Sequence, residues 1–202
     1  MLRVGILVLA LSIASAALAE DERPSWEFSA SVYGYDVPES EDYWNPGMTA
    51  DHGRLHLEAR YNYEAIGATS LWAGANFSAG ETWVFEATAM FGGVFGDLEG
   101  IAPGYRLSLT HSWFELNSEG EYFFDKHGHE GNYLYTWTEA AGYPVDWFRA
   151  GLAIQRTRAY ESDLGIQRGA FVGFSYLSWD LAGYVFNPFD DPTYVLAVRV
   201  SF

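Results

Sequence analysis

The sequence predicts an all-β fold, a single antiparallel up-and-down barrel of twelve strands that crosses a membrane with strands rather than helices. Three observations carry the prediction. Turn-forming residues recur at roughly 8- to 15-residue intervals, with short alternating segments between them and no helical periodicity of useful length. Beyond the amino-terminal leader, no stretch approaches the ~18 uninterrupted apolar residues of a membrane helix, because charges, glycines or prolines interrupt every candidate. The chain also holds 14 Tyr, 14 Phe, 8 Trp and 21 Gly, a composition suited to interfacial aromatic girdles and close strand contacts.

The expected strands run, in order, Trp26 to Asp36, Tyr43 to Ala50, Arg54 to Tyr63, Ser70 to Ser78, Thr82 to Phe91, Gly104 to His111, Phe114 to Phe124, Tyr133 to Ala141, Trp147 to Thr157, Ile166 to Tyr176, Asp180 to Asn187 and Thr193 to Phe202. The second carries the weakest signal, since Pro46 and Gly47 interrupt it. Parity requires it nevertheless, because a single-chain barrel of this kind has an even number of strands, twelve or ten but not eleven. With it included, short turns at Asp51 to Gly53, Ala79 to Glu81, Ser112-Trp113, Gly142 to Asp146 and Leu177 to Trp179 alternate with mostly longer, more polar loops. These are Val37 to Asp42, Glu64 to Thr69, Gly92 to Pro103, Asp125 to Asn132, Arg158 to Gly165 and Pro188 to Pro192. At about 10 residues each, tilted by roughly 40°, such strands cover a ~25 Å apolar band.

The ninth and tenth strands can be set in register. Pairing Ile154 with Ala170 brings Leu152 to Val172, Ala150 to Phe174 and Phe148 to Tyr176 on one face, a set compatible with lipid. The other face pairs Arg149 with Ser175, Gly151 with Gly173, Ala153 with Phe171, Gln155 with Gly169 and Thr157 with Gln167, a set suited to a lumen. A soluble sandwich shows the same alternation with inside and outside exchanged. The chain ends decide between the two.

At the amino end, Arg3, the apolar run Val4 to Ala14 and Ala17-Leu18-Ala19 before Glu20 form the pattern of a cleaved secretory signal peptide over residues 1–19, which leaves residues 20–202 as one barrel domain. At the other end, Tyr194, Leu196, Val198, Val200 and Phe202 share one strand face while Arg199 and Ser201 share the opposite one. This ending resembles the terminal strand of bacterial outer-membrane β-barrel proteins, a class-level likeness that points to no specific characterised family. The resemblance implies an outer-membrane location. It also implies that these five residues, Phe202 above all, form the assembly signal read by the barrel-insertion machinery.

Charged residues fall into rows. Arg54, His56, Glu58, Arg60 and Asn62 alternate with Leu55, Leu57, Ala59, Tyr61 and Tyr63, and Glu115, Asn117, Glu119 and Glu121 alternate with Phe114, Leu116, Ser118, Gly120 and Tyr122. A basic side chain on the lipid face near the midplane costs ~2–4 kcal/mol, so these rows are expected to line the lumen. Parity adds Glu86, Arg106, Glu139, Arg149 and Arg199. Such a lumen either passes small polar solutes or ions or is plugged by Arg–Glu pairs that satisfy one another. Barrel size does not choose, because about 12 strands lie between packed 8-stranded and open 16-stranded barrels.

Three arginines are expected on the outer wall. The register above sets Arg156 opposite Arg168 at the long-loop end, with Arg158 one step further out. Like charges facing each other repel, and bidentate contacts to phosphates of an outer-leaflet glycolipid relieve that cost. The alternative is a local bulge that turns some of them inward or toward Glu161 to Asp163.

Other chemistry is sparse. His127-Gly128-His129-Glu130 offers metal-binding donors but no evident fourth ligand and reads as an exposed loop, so no metal and no cofactor are expected. His111 and Ser112 point to opposite faces unless the turn intervenes, and His56 and Glu58 share a face about 7 Å apart. No motif of the outer-membrane phospholipase, lipid A deacylase or omptin families is present, and enzymatic activity is not expected. A net charge of −16, with Lys126 the only lysine, argues against nucleic acid or an acidic bilayer surface as partner. The absence of cysteine excludes disulfides and a lipid-modified cysteine anchor. The leading reading is a small integral outer-membrane barrel acting as a passive channel for small polar solutes or ions. Its competitors are a structural, envelope-anchoring barrel with a plugged lumen and an outer-membrane enzyme with an unrecognised rim site. The expected partners are outer-membrane lipid and glycolipid and the insertion machinery, with the oligomeric state open.

Overall fold

The computed structural model describes residues 24–38, 40–156 and 165–202. The expected signal peptide and Arg158 lie outside them. The described residues form twelve strands: β1 (Trp26–Asp36), β2 (Tyr43–His52), β3 (Leu55–Tyr61), β4 (Ala68–Ala79), β5 (Val84–Gly96), β6 (Gly100–His111), β7 (Phe114–Asp125), β8 (Tyr133–Val145), β9 (Phe148–Arg156), β10 (Ile166–Tyr176), β11 (Trp179–Phe186) and β12 (Thr193–Ser201). Each pairs antiparallel with its sequence neighbours, and β1 pairs with β12, so the sheet closes on itself. Closure leaves no strand edge to be satisfied by water, a condition that any sheet crossing hydrocarbon must meet. At the seam Phe28 and Phe202 exchange both backbone hydrogen bonds at 2.9 Å, and their rings stack with centroids 6.0 Å apart.

The doubtful second strand is present, and its proline has a physical reason. Pro46 pairs with Val32 of β1, but the β2–β3 ladder begins only at Gly47 opposite Arg60. The missing N–H of Pro46 therefore costs no β3 bond. Beyond that point β3 gives way to a loop, and the Asn62 side-chain amide donates to the Trp44 carbonyl at 2.8 Å instead.

Outward positions are apolar and exposed, among them Leu71, Phe91, Leu152, Ile154, Val172 and Leu196. Leu152 is 67 % exposed, an arrangement that lipid tolerates and water does not. Aromatics gather outside both rims: Trp26, Trp83, Trp113, Trp147 and Trp179 at the short-turn rim, Trp44, Tyr61, Phe95, Phe124 and Tyr194 at the other. These are the interfacial girdles expected from composition. No helix among the described residues is long and apolar enough to cross a membrane.

Many aromatics, however, do not belong to a girdle. Tyr35, Tyr43, Trp72, Phe123, Tyr133, Tyr135, Trp137, Phe171, Tyr184 and Phe186 are buried inside the barrel. They fill its long-loop half. Tyr33 on β1 meets Trp137 on β8 edge-on at 6.1 Å, and these strands lie five places apart around twelve, so the contact spans the lumen. Trp137 also packs edge-on against Tyr184 and Phe186, at 5.2 Å each.

Two expectations on β-geometry are corrected. The long loop Gly92 to Pro103 is largely strand, since β5 runs to Gly96 and β6 starts at Gly100. In the β9–β10 hairpin Ala170 pairs with Leu152, not Ile154, a two-residue slip that keeps every side chain on its expected face. Alternation fixes parity but not which even shift is taken. The observed register sets Gln155 beside Gln167, joined at 2.7 Å, and separates Arg156 from Arg168 by placing each opposite an isoleucine. No shift interrupts this ladder from Arg156 to Phe148.

Gly92 illustrates a close approach inside the lumen. A Cβ there would overlap the indole of Trp72. Gly92→Val is therefore expected to displace Trp72 and cost ~1–3 kcal/mol, read as a lower urea midpoint, whereas an unchanged midpoint would mean that the indole yields freely.

Candidate functional site: the charged lumen

Strand β3 supplies the centre of the lumen. Alternation turns His56, Glu58 and Arg60 inward, and all three are buried. Arg60 Nε donates to Glu58 Oε1 at 2.9 Å, Nη2 to Glu58 Oε2 at 3.1 Å, and Nη1 to Glu121 Oε2 on β7 at 2.9 Å. Glu64 Oε1 stands 3.8 Å from Nη1. The rings of Tyr63 and Trp72 lie 4.2 and 4.6 Å from the guanidinium carbon, so aromatic faces cover what the carboxylates leave open. A second arginine, Arg106 on β6, donates to Glu58 Oε1 at 2.5 Å and lies 3.4 Å from Glu119. His56 is held between Asp51 at 2.8 Å and Glu58 at 3.4 Å, a direct contact where strand spacing alone placed it too far.

Tyr63 and Glu64 reach this cluster because the β3–β4 connection, residues 62–67, folds into the barrel. Asn62 adopts a left-handed φ of 58°, and its side-chain oxygen accepts from Gly67 N–H at 2.8 Å, closing the loop. Inside, the Tyr63 hydroxyl donates to Glu119 and its ring meets Tyr135 edge-on at 4.9 Å. Glu64 accepts from Ser70 at 2.5 Å, and its carbonyl accepts from the Tyr133 hydroxyl at 2.8 Å. Burial holds the Glu64 carboxyl above the usual carboxylate range, with Arg60 acting against that shift. Glu64 Oε2 and Glu121 Oε1 are buried without a hydrogen-bond partner. One guanidinium thus serves three buried carboxylates, two of them incompletely satisfied.

A void of about 20 Å³ remains here, lined by Ser31, Tyr33, Asn45, Gly47, Glu58, Arg60, Tyr63, Arg106, Glu119 and Arg199. This is room for about one water. On its short-turn side the lumen is wetter. Arg199 is solvent-exposed there, and Glu27, Glu86, Glu115 and Glu139 face inward with no arginine in salt-bridge distance among the described residues. Asp180 pairs with Arg149 and accepts from Ser175 at 2.8 Å; Glu115 accepts from Tyr143 and Asn117. Among the described inward-facing groups carboxylates outnumber guanidiniums by more than two to one, with Arg60, Arg106, Arg149 and Arg199 as the arginines.

The structure thus gathers His56, Glu58, Arg60, Arg106, Glu119 and Glu121 in one cluster, and sets Glu86, Glu115, Glu139, Arg149 and Arg199 along the wall on its short-turn side. Arg54 is a correction: it falls in the turn before β3, and its guanidinium lies 6.0 Å from the ring of Phe77, which points outward. The strand begins one residue later than alternation alone suggests, which frees Arg54 from the inward row. Asn62 and Tyr63 are corrections too: alternation carried past Tyr61 sets Asn62 inward and Tyr63 toward lipid, but β3 ends at Tyr61 and the loop turns Asn62 out to Trp44 and Tyr63 in to Arg60 and Glu119. Glu64, expected in a loop, comes inward with Tyr63. Sequence reasoning also passed over Asp180, although inward parity with Tyr184 on β11 was there to be read.

Elsewhere, turn geometry brings Ser112 Oγ to 3.3 Å from His111 Nδ1, but both are on the rim and the imidazole packs at a tilt against Trp83, with ring centroids 4.6 Å apart. In the His127–Glu130 loop, His127 Nδ1 lies 3.3 Å from Asp125. Among the described residues no group of three or more potential metal ligands converges.

No family model matches the chain, and no curated protein matches it. Among the solved structures that are similar in fold are two porins. One is described as a KdgM porin, with a TM-score of 0.57 at 12% identity over 86% of this chain and 99% of the porin. The other is a KdgM porin in complex with disordered oligogalacturonate, with a TM-score of 0.56 at 12% identity over 87% of this chain and 99% of the porin.

Proposed function

We propose that this chain is an integral outer-membrane barrel whose lumen is a narrow, gated path for small cations and small neutral polar solutes. Its short-turn rim faces the periplasm and its long-loop rim the exterior, the usual disposition of such barrels. The observation that supports a path rather than a plug is the excess of carboxylates without arginine partners on the wet side of the Arg60 cluster. A dry plug would need each of these charges paired. The porin-like fold agrees with this reading. Oligogalacturonate, bound by one of the similar porins, is a polyanion, and a lumen richer in carboxylates than guanidiniums is poorly suited to it. A structural barrel with a closed lumen is the second reading, favoured by the aromatic packing of the long-loop half.

Liposome swelling tests the proposal. Vesicles containing the protein should admit small cationic and neutral amino acids faster than acidic ones, and Glu119→Gln should narrow that difference. Equal impermeability to all three, with the protein folded, would favour the structural barrel.

The seam contact of Phe202 with Phe28 supports its proposed role in assembly. Phe202→Ala is expected to lower the assembled fraction in cells while leaving refolding into detergent intact. Equal loss in both settings would assign Phe202 to barrel stability alone.

A further inference from the structure

We infer that the outer wall carries a binding site for a phosphorylated glycolipid of the outer leaflet, with Arg156 and Arg168 on its phosphate and an apolar groove beside them for an acyl chain. The site requires the barrel to sit in that membrane but not to conduct.

The headgroup end rests on two arginines. Outward parity on β9 and β10 places both on the lipid-facing wall near the long-loop ends of their strands, and the uninterrupted ladder excludes a bulge between them. They stand diagonally across the pair, each opposite an isoleucine, close enough for one phosphate to be shared. Neither has a carboxylate within salt-bridge distance among the described residues, in a chain of net charge −16. Two cations on the outer wall at one rim, without a carboxylate partner among the described residues of so acidic a protein, call for an anion.

The tail end rests on shape. From Arg168 the outward residues of β10 continue as Ala170 and Val172 toward the barrel's middle, and both line a groove of about 630 Å³ that crosses β11, β12 and β1. Gly183 and Gly34 flank Leu196 in one hydrogen-bonded row, which lowers the wall on either side of it. A Cβ at Gly183 would meet nothing within 4 Å, while at Gly34 the indole of Trp44 closes the far side. Charge at the top and an apolar floor below match an amphiphile lying along the strand direction. Asp36 and Asp42 border the opposite flank. They are three or more strands from Arg168, ~14 Å at the usual strand spacing, and so direct the phosphate to the arginine side.

Native mass spectrometry of the full chain in detergent micelles doped with bisphosphorylated lipid A tests the site. One lipid A per barrel is expected, with dephosphorylated lipid A and phosphatidylglycerol each retained more weakly. R156E/R168E should weaken retention about tenfold or more, since charge-assisted bonds to phosphate are lost. Gly183→Leu should weaken it with both arginines intact, because the leucine occupies open groove. Both variants should conduct as the unaltered protein does, which separates failure here from failure of the channel. Undiminished retention in either variant, equal binding of dephosphorylated lipid A or phosphatidylglycerol, or a protein dimer that buries the groove in lipid-free micelles would overturn the inference.

Discussion

Replacing Arg60 with methionine is expected to destabilise the barrel by about 3–5 kcal/mol, the cost of leaving buried carboxylates without their cation. The magnitude follows from the surroundings. Glu58, Glu64 and Glu121 are each less than a tenth exposed, and Arg60 is their shared counter-charge, since of these three Arg106 reaches Glu58 alone. Methionine keeps much of the side-chain volume between Tyr63 and Trp72, so the loss reports charge rather than a cavity. R60M/E121Q, which removes one of the stranded negative charges, should recover part of the loss. Equilibrium unfolding by urea from detergent micelles measures both. A loss below ~1 kcal/mol for R60M would mean that water already reaches the cluster and screens it.

The second large effect is on permeation. Tyr63→Ala should raise single-channel conductance several-fold, because the Tyr63 ring lies over Arg60, meets Tyr135 and anchors Glu119 through its hydroxyl. Its backbone is held independently by the Asn62 bonds to Gly67 and Trp44, so the loop keeps its place while the gap widens. Tyr63→Phe keeps the ring and loses only the bond to Glu119, and should therefore conduct nearly as the unaltered protein does. Equal conductance in all three would place the restriction elsewhere, in the aromatic packing around Trp137.

Most of the fold was legible because alternation has a period of two and a closed barrel permits only an even strand count. β2 shows the strength of that reasoning, since parity required it although Pro46 argued against it. The β9–β10 register shows its limit: a two-residue slip moves no side chain to the other face, so the pattern could not resolve it, whereas the Gln155–Gln167 bond and the separation of Arg156 from Arg168 could. In the site, the rows on β3 and β7 announced Glu58, Arg60, Glu119 and Glu121 through the cost of exposing charge to lipid. Tyr63 and Glu64 left no such signal, because a loop that folds inward obeys no periodicity. The lumen aromatics of β8 followed from the same parity, since Tyr133, Tyr135 and Trp137 share the inward face of Glu139, although nothing in the alternation announced that they pack across the barrel.

The central claim, that the lumen is a carboxylate-biased path gated at Arg60 and Tyr63, is tested most directly by the reversal potential across a planar bilayer holding Tyr63→Ala in a potassium chloride gradient. The predicted result is a cation-selective potential that moves toward zero when Glu119→Gln is added. An anion-selective potential, or a silent bilayer containing correctly folded protein, would contradict it.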